Sequence, residues 1–97
     1  SFEPFATDNY FEQYVYEKPT VFVVQGKEVV VTSRRLADAL ANLSEQRRTV
    51  LLMNFFLGYS ERKIGNEYGL SRSTVNYWKL AALKQLRKEL EKTKHEE

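Results

Sequence analysis

The 97 residues contain no cysteine, which excludes disulfide staples, thiolate zinc sites and a cysteine nucleophile. Histidine occurs once, as His95 near the end of the chain, so histidine-based acid–base chemistry has almost no support. No paired carboxylates stand in a pocket signature. No apolar run approaches the ~20 residues a membrane span requires, and no basic-then-apolar leader opens the chain. The expectation is a protein that is not an enzyme, holds no cofactor or metal, makes no membrane contact and resides in the cytoplasm. Methionine occurs once, as Met53, and Ser1 comes first, so the chain is expected to be a processed or excised piece of a longer protein. Proline is confined to Pro4 and Pro19, which leaves the rest of the sequence without a proline break.

What is present is ordinary for a globular chain: 42% hydrophobic and 29% charged residues. A chain of this size buries only about two-thirds of its unfolded surface, which leaves no room for a large cleft between two domains. The net charge of +2 conceals an asymmetry. Residues 1–33 carry five acids (Glu3, Asp8, Glu12, Glu17, Glu28) against two bases (Lys18, Lys27). Residues 34–97 carry the other 13 bases against eight acids. A basic second part points to a polyanion partner, although many solvated helices carry the same excess with no partner at all.

The lead, residues 1–20, is rich in rings: Phe2, Phe5, Tyr10, Phe11, Tyr14 and Tyr16. Disordered tails normally lack them, so this arm is expected to pack on the domain or on a neighbour. Thr7 or Asp8 can cap a short helix through Tyr14, and the alternation of Tyr14 and Tyr16 fits a strand equally well. Val21–Val24 and Glu28–Thr32 are β-branched runs flanking Gln25-Gly26-Lys27, which predicts a β-hairpin turning at Gly26. From Ser33 the period becomes helical. Ser33 caps a helix to about Asn42, with Leu36, Ala39, Leu40 and Leu43 on one face. Ser44 caps a second over 45–57, apolar around much of its circumference and therefore expected in the core. Gly58 ends it, Ser60 caps a third over 61–68, Gly69 closes that, and Ser71 caps the last, to about Glu91. Lys92, Lys94 and His95 through Glu97 read as a frayed end. The predicted fold class is mainly α: a four-helix helix-turn-helix domain over 33–97, preceded by an arm and β-hairpin over 1–32.

The stretch from Ser60 to Trp78 carries the chemistry. A short helix crossing a longer one needs a small residue at the contact and positive φ at the turn, which Gly65 and Gly69 supply. Ile64, Tyr68, Leu70, Val75 and Trp78 fall where the two helices face each other. The alternative is an ordinary helical hairpin whose glycine only terminates a helix. The outward face decides between them. Arg72, Ser73, Asn76 and Tyr77 share one side of the last helix, all able to meet base edges and none acidic. Ser71 and Arg72 stand at a helix amino terminus, which favours a phosphate. Thr74 lies in the same first turn, and Lys79, Lys84, Arg87 and Lys88 add bases along it. Val75, Trp78, Ala82, Leu86 and Leu90 mark the buried stripe. The candidate DNA-binding set is thus Ser71, Arg72, Ser73, Thr74, Asn76, Tyr77, Lys79 and Lys84.

Leu43–Leu52, Phe55–Ser60, Ile64-Gly65, Gly69-Leu70-Ser71, Thr74-Val75 and Ala82–Arg87, in this order and spacing, resemble region 4 of the sigma-70 family of transcription initiation factors. The resemblance covers roughly residues 36–91. The Val-rich hairpin, Gly58-Tyr59-Ser60 and Ser73–Tyr77 are also similar to short sigma-like regulators carried by conjugative elements of Gram-positive bacteria. The resemblance implies recognition of a promoter −35 element in double-stranded DNA by the last helix, with Arg72, Ser73, Asn76 and Tyr77 facing the duplex. Ser73 stands at a position often acidic in primary factors, and Asn76-Tyr77 replaces a common Arg-Gln pair, so the preferred sequence should differ from the housekeeping one. Leu80 is apolar on this face and could meet a thymine methyl or a neighbouring helix. The resemblance also implies docking on the β-subunit flap of RNA polymerase, with exposed members of the Met53, Phe56 and Leu57 group as candidates. Nothing in the chain resembles region 2, which opens the −10 element. Two other functions compete: a protein-interaction module whose helices are only structural, and the DNA-binding end of a site-specific recombinase.

Overall fold

The computed structural model describes residues 18–96. The aromatic lead Phe2–Tyr16 therefore lies outside the described residues, and with it the choice between helix and strand there. Strands β1 (Thr20–Val24) and β2 (Lys27–Val31) pair antiparallel, with Phe22 opposite Val29 and Val21 opposite Val30. Gln25 and Gly26 form the two-residue turn with φ of 54° and 74°. Two successive positive φ values give the turn the twist that matches a right-handed strand pair, and only glycine adopts them without cost. Alternation then sorts the side chains. Phe22, Val24, Val29 and Val31 face the helices, whereas Val21, Val23 and Val30 are exposed. The hairpin shares one core with the helical part, as a two-stranded sheet must to be stable.

Four α-helices follow among the described residues: α1 (Arg34–Ala41), α2 (Glu45–Leu51), α3 (Glu61–Tyr68) and α4 (Arg72–Glu96). The protein is mainly helical. The hydroxyls of Ser33, Ser44 and Ser60 accept from the backbone N–H three residues on, at 3.1, 3.3 and 3.0 Å. Each satisfies a donor that the first helical turn leaves without an intrahelical acceptor. Leu40, Leu43, Val50–Met53, Ile64, Val75 and Ala82 form the centre of the core.

Two expectations change. The single helix over 45–57 instead winds as α only to Leu51 and then as a π-helical turn over Leu52–Phe56, where Leu57 N–H bonds to Leu52 O at 3.0 Å. An apolar run around the whole circumference exceeds what one buried side can hold, so Leu52 and Met53 fill the core and the rings of Phe55 and Phe56 are left 57% and 44% exposed. Met53 is fully buried, which leaves Phe56 and the half-buried Leu57 as the accessible members of the group named for polymerase docking. The last helix also runs past Glu91 to Glu96, so the expected fray does not begin at Lys92. Two contacts hold its distal part: Arg35 donates to Leu90 O at 2.8 Å and Asn42 Nδ2 to the Glu89 carboxylate at 3.2 Å. No glycine or proline breaks the winding beyond them.

Candidate nucleic-acid interface

Helices α3 and α4 are joined through Gly69-Leu70-Ser71. Gly69 has φ 67° in the left-handed region and caps α3 through its N–H to Gly65 O. Leu70 N–H reaches the same carbonyl at 2.8 Å. A Cβ built on Gly65 would stand 2.5 Å from Leu70 O, so the turn folds back onto α3 with no space for any side chain. Sequence spacing placed Gly65 against the second helix, and the structure places it against the turn itself. Ile64, Gly65 and Val75 are buried, Leu70 and Trp78 pack half-buried on the core, and Tyr68 is 44% exposed. Tyr68, Leu70 and Trp78 line an open groove with Glu45, Gln46, Thr49 and Val50 from α2.

The start of α4 is capped by Ser71, whose hydroxyl accepts from Thr74 N–H at 3.1 Å and donates to Thr74 Oγ1 at 2.9 Å. The Ser73 hydroxyl lies 3.2 Å from it. Ser71 and Thr74 are thus engaged in the cap, while Arg72 and Ser73 project outward. One turn on, Tyr77 is 69% and Leu80 54% exposed, so Leu80 lies on the open face rather than against a neighbouring helix. Lys84 and Lys88 follow on the same side. Arg47 of α2 joins them, with its guanidinium bonded to Gln85 Oε1 at 2.7 Å, and the three bases, Tyr77, Leu80 and Ala81 line one shallow groove.

Asn76 and Lys79 are placed differently from a freely projecting pair. Both converge with Arg72 on the carboxylate of Glu61, the first residue of α3. Lys79 Nζ stands 2.7 Å from it, Asn76 Nδ2 donates at 2.8 Å, and Arg72 Nε lies at 3.6 Å. Glu61 is mostly covered, and so is Lys79, whose ammonium also lies 5.8 Å from the Phe55 ring centre. The bond from Lys79 and then that from Asn76 hold the Glu61 carboxyl well below its ordinary value near 4.5, at about 2. It is therefore ionised, and an ionised carboxylate only accepts. The candidate set drawn from α4 alone omitted Glu61 because it belongs to another helix. The available signal was the 72, 76, 79 spacing on α4, which gathers three donors on one stripe facing whatever lies opposite.

Comparison with protein families places this geometry. The family model for sigma-70, region 4 matches residues 33–86, more than half of the chain. The chain belongs to the sigma-70 region 4 family. Its α3-turn-α4 unit is accordingly the DNA-binding helix-turn-helix of a sigma or transcription-regulator family, and the family's domains bind DNA and RNA polymerase. The match begins at Ser33, the cap of α1, and so excludes the β-hairpin. Curated proteins provide no match. Among the described residues no helix is long and apolar enough to cross a membrane.

Proposed function

We propose that this region 4 protein is a sequence-specific transcription regulator that reads a −35-like promoter element through α4. The observation that carries the reading is the division of that helix. Val75 and Ala82 are buried with no exposed surface, while Arg72, Ser73, Tyr77, Leu80 and Lys84 look outward without an acid among them. Arg72, Lys84, Lys88 and Arg47 supply the phosphate contacts that set orientation, which carry no sequence information themselves. Asn76 reads an adenine edge, Tyr77 and Leu80 offer apolar surface to a thymine methyl, and Ser73 accepts or donates. The partly exposed Phe55 and Phe56, beside half-buried Leu57, form the surface we assign to RNA polymerase, on the β-subunit flap.

Selection of bound sites from a random duplex pool, with and without core RNA polymerase, tests this reading. A defined motif should emerge. Asn76→Ala should lose about 1–3 kcal/mol of discrimination at one base pair while binding to random duplex keeps its salt dependence. Equal loss on selected and random DNA overturns the role of Asn76, and absence of any motif overturns the function.

A further inference from the structure

An acid on the surface offered to a polyanion is a liability unless it does something there. Glu61 sits where Arg72, Asn76 and Lys79 meet, and lies against no other acid in that cluster. Lys79 alone would neutralise it, at 2.7 Å. The Asn76 bond is a second, separate contact, and its direction is set by chemistry. A carboxylate has no proton to give, so the Asn76 side chain must turn its Nδ2 inward. Its Oδ1 then has no choice but to point away from Glu61, with the second N–H beside it.

We propose that Glu61 is a positioning residue for base recognition: it holds the Asn76 carboxamide in one of its two orientations, so that Oδ1 meets a base bearing an exocyclic amine. Adenine fits best. Its N6 amine donates to Oδ1 and its N7 accepts the remaining N–H, whereas a guanine edge would oppose Oδ1 with a second acceptor. This deepens the proposed function and rests on it. Glu61 touches no base itself. It removes the rotation that would let Asn76 accept either purine, and it does so from a different helix, so the fidelity of α4 depends on the crossing with α3.

The test separates the Asn76 bond from the ion pair. In Glu61→Asp the carboxylate retreats by one methylene; Lys79, on a flexible four-carbon stem, follows it, and the short Asn76 side chain does not. In Glu61→Gln the charge is gone, but Lys79, which can only donate and bonds to the same Oε2 as Asn76, keeps the side-chain oxygen rather than its NH2 turned to that side, where it still accepts from Asn76. At the base pair whose preference is lost in Asn76→Ala, Glu61→Asp should lower discrimination about tenfold, to the level of Asn76→Ala. Random duplex serves as the internal reference. Glu61→Gln should keep most of the preference, and Glu61→Asp should add nothing in the Asn76→Ala background. Glu61→Ala should behave as Glu61→Asp; where it does not fold, the Asp variant decides. Wild-type preference in Glu61→Asp, or its loss in Glu61→Gln alone, overturns the proposal and leaves the promoter-reading function intact. A wild-type chain that selects no motif overturns both.

Discussion

The two sides of α4 are built from the same number of turns and obey different rules. On the inner side the centre is apolar: Val75 and Ala82 have no exposed surface, and Trp78, Leu83 and Leu86 pack against the core around them. Polar contacts to α1 and α2 come only at its margin, through Gln85, Glu89 and Leu90 O. On the outer side the contacts are polar, and the residues that look free in a helical projection are not equally free. Tyr77 is open, Arg72 is exposed but paired with Glu61 of α3 at 3.6 Å, and Asn76 and Lys79 are bound to the same carboxylate and half covered. The inner side tells where the helix sits, and the outer side tells what it can distinguish. Positions on the boundary belong to both, which is why a face drawn from one helix alone misassigns them.

Substitutions that keep or collapse this division sharpen it. The largest effect is expected where the two sides are set relative to each other. Gly65→Val forces Cβ and two methyls against Leu70 O and should destabilise the fold by about 3 kcal/mol, read as a lower midpoint in urea unfolding with DNA binding lost in parallel. On the inner side alone, Val75→Ala leaves a cavity at a fully buried site and should cost about 2 kcal/mol, without changing which sequence is selected by the fraction that remains folded. On the boundary, Glu61 has its carboxyl held at about 2, below its ordinary value near 4.5. A depressed pKa contributes stability that is fully present above 4.5 and is lost as pH falls through about 2. Thermal midpoints of the wild type and Glu61→Gln should therefore converge between pH 4.5 and 2, and a constant gap over that range would show the carboxylate contact to be without effect on folding. Smallest of all, Lys84→Ala on the outer side should leave stability untouched. It should weaken binding uniformly across sequences and reduce the salt slope by about one.

Local chemistry made much of the fold readable beforehand. Ser33, Ser44 and Ser60 cap where spacing placed them, because an N-cap needs only a hydroxyl and the three residues after it. The positive φ of Gly26 and Gly69 was legible for the same reason. The π-helical turn was not. It depends on how many apolar side chains the opposing elements can cover, and the run Leu52–Phe56 carries no sign of that limit. Tyr68, expected between the helices, stands 44% exposed on the rim of the open groove that it lines with Leu70, Trp78 and residues of α2, a placement that helical spacing alone does not reveal. The outward placement of Arg72, Ser73, Tyr77 and Lys84 was legible from periodicity. Ser71 and Thr74 bond to each other, which the same capping logic contains once applied to the last helix. Glu61 required knowledge of which helix crosses over which.

The bond from Arg35 to Leu90 O has a mechanical meaning. Leu90 lies 14 residues beyond Asn76, roughly 20 Å along a rigid rod. Whatever grips the amino end of that rod is thereby coupled to α1, which packs on β2. The end of α4 that the proposed reading sets on DNA is thus tied, through one continuous helix and one guanidinium, to the element on which the hairpin rests.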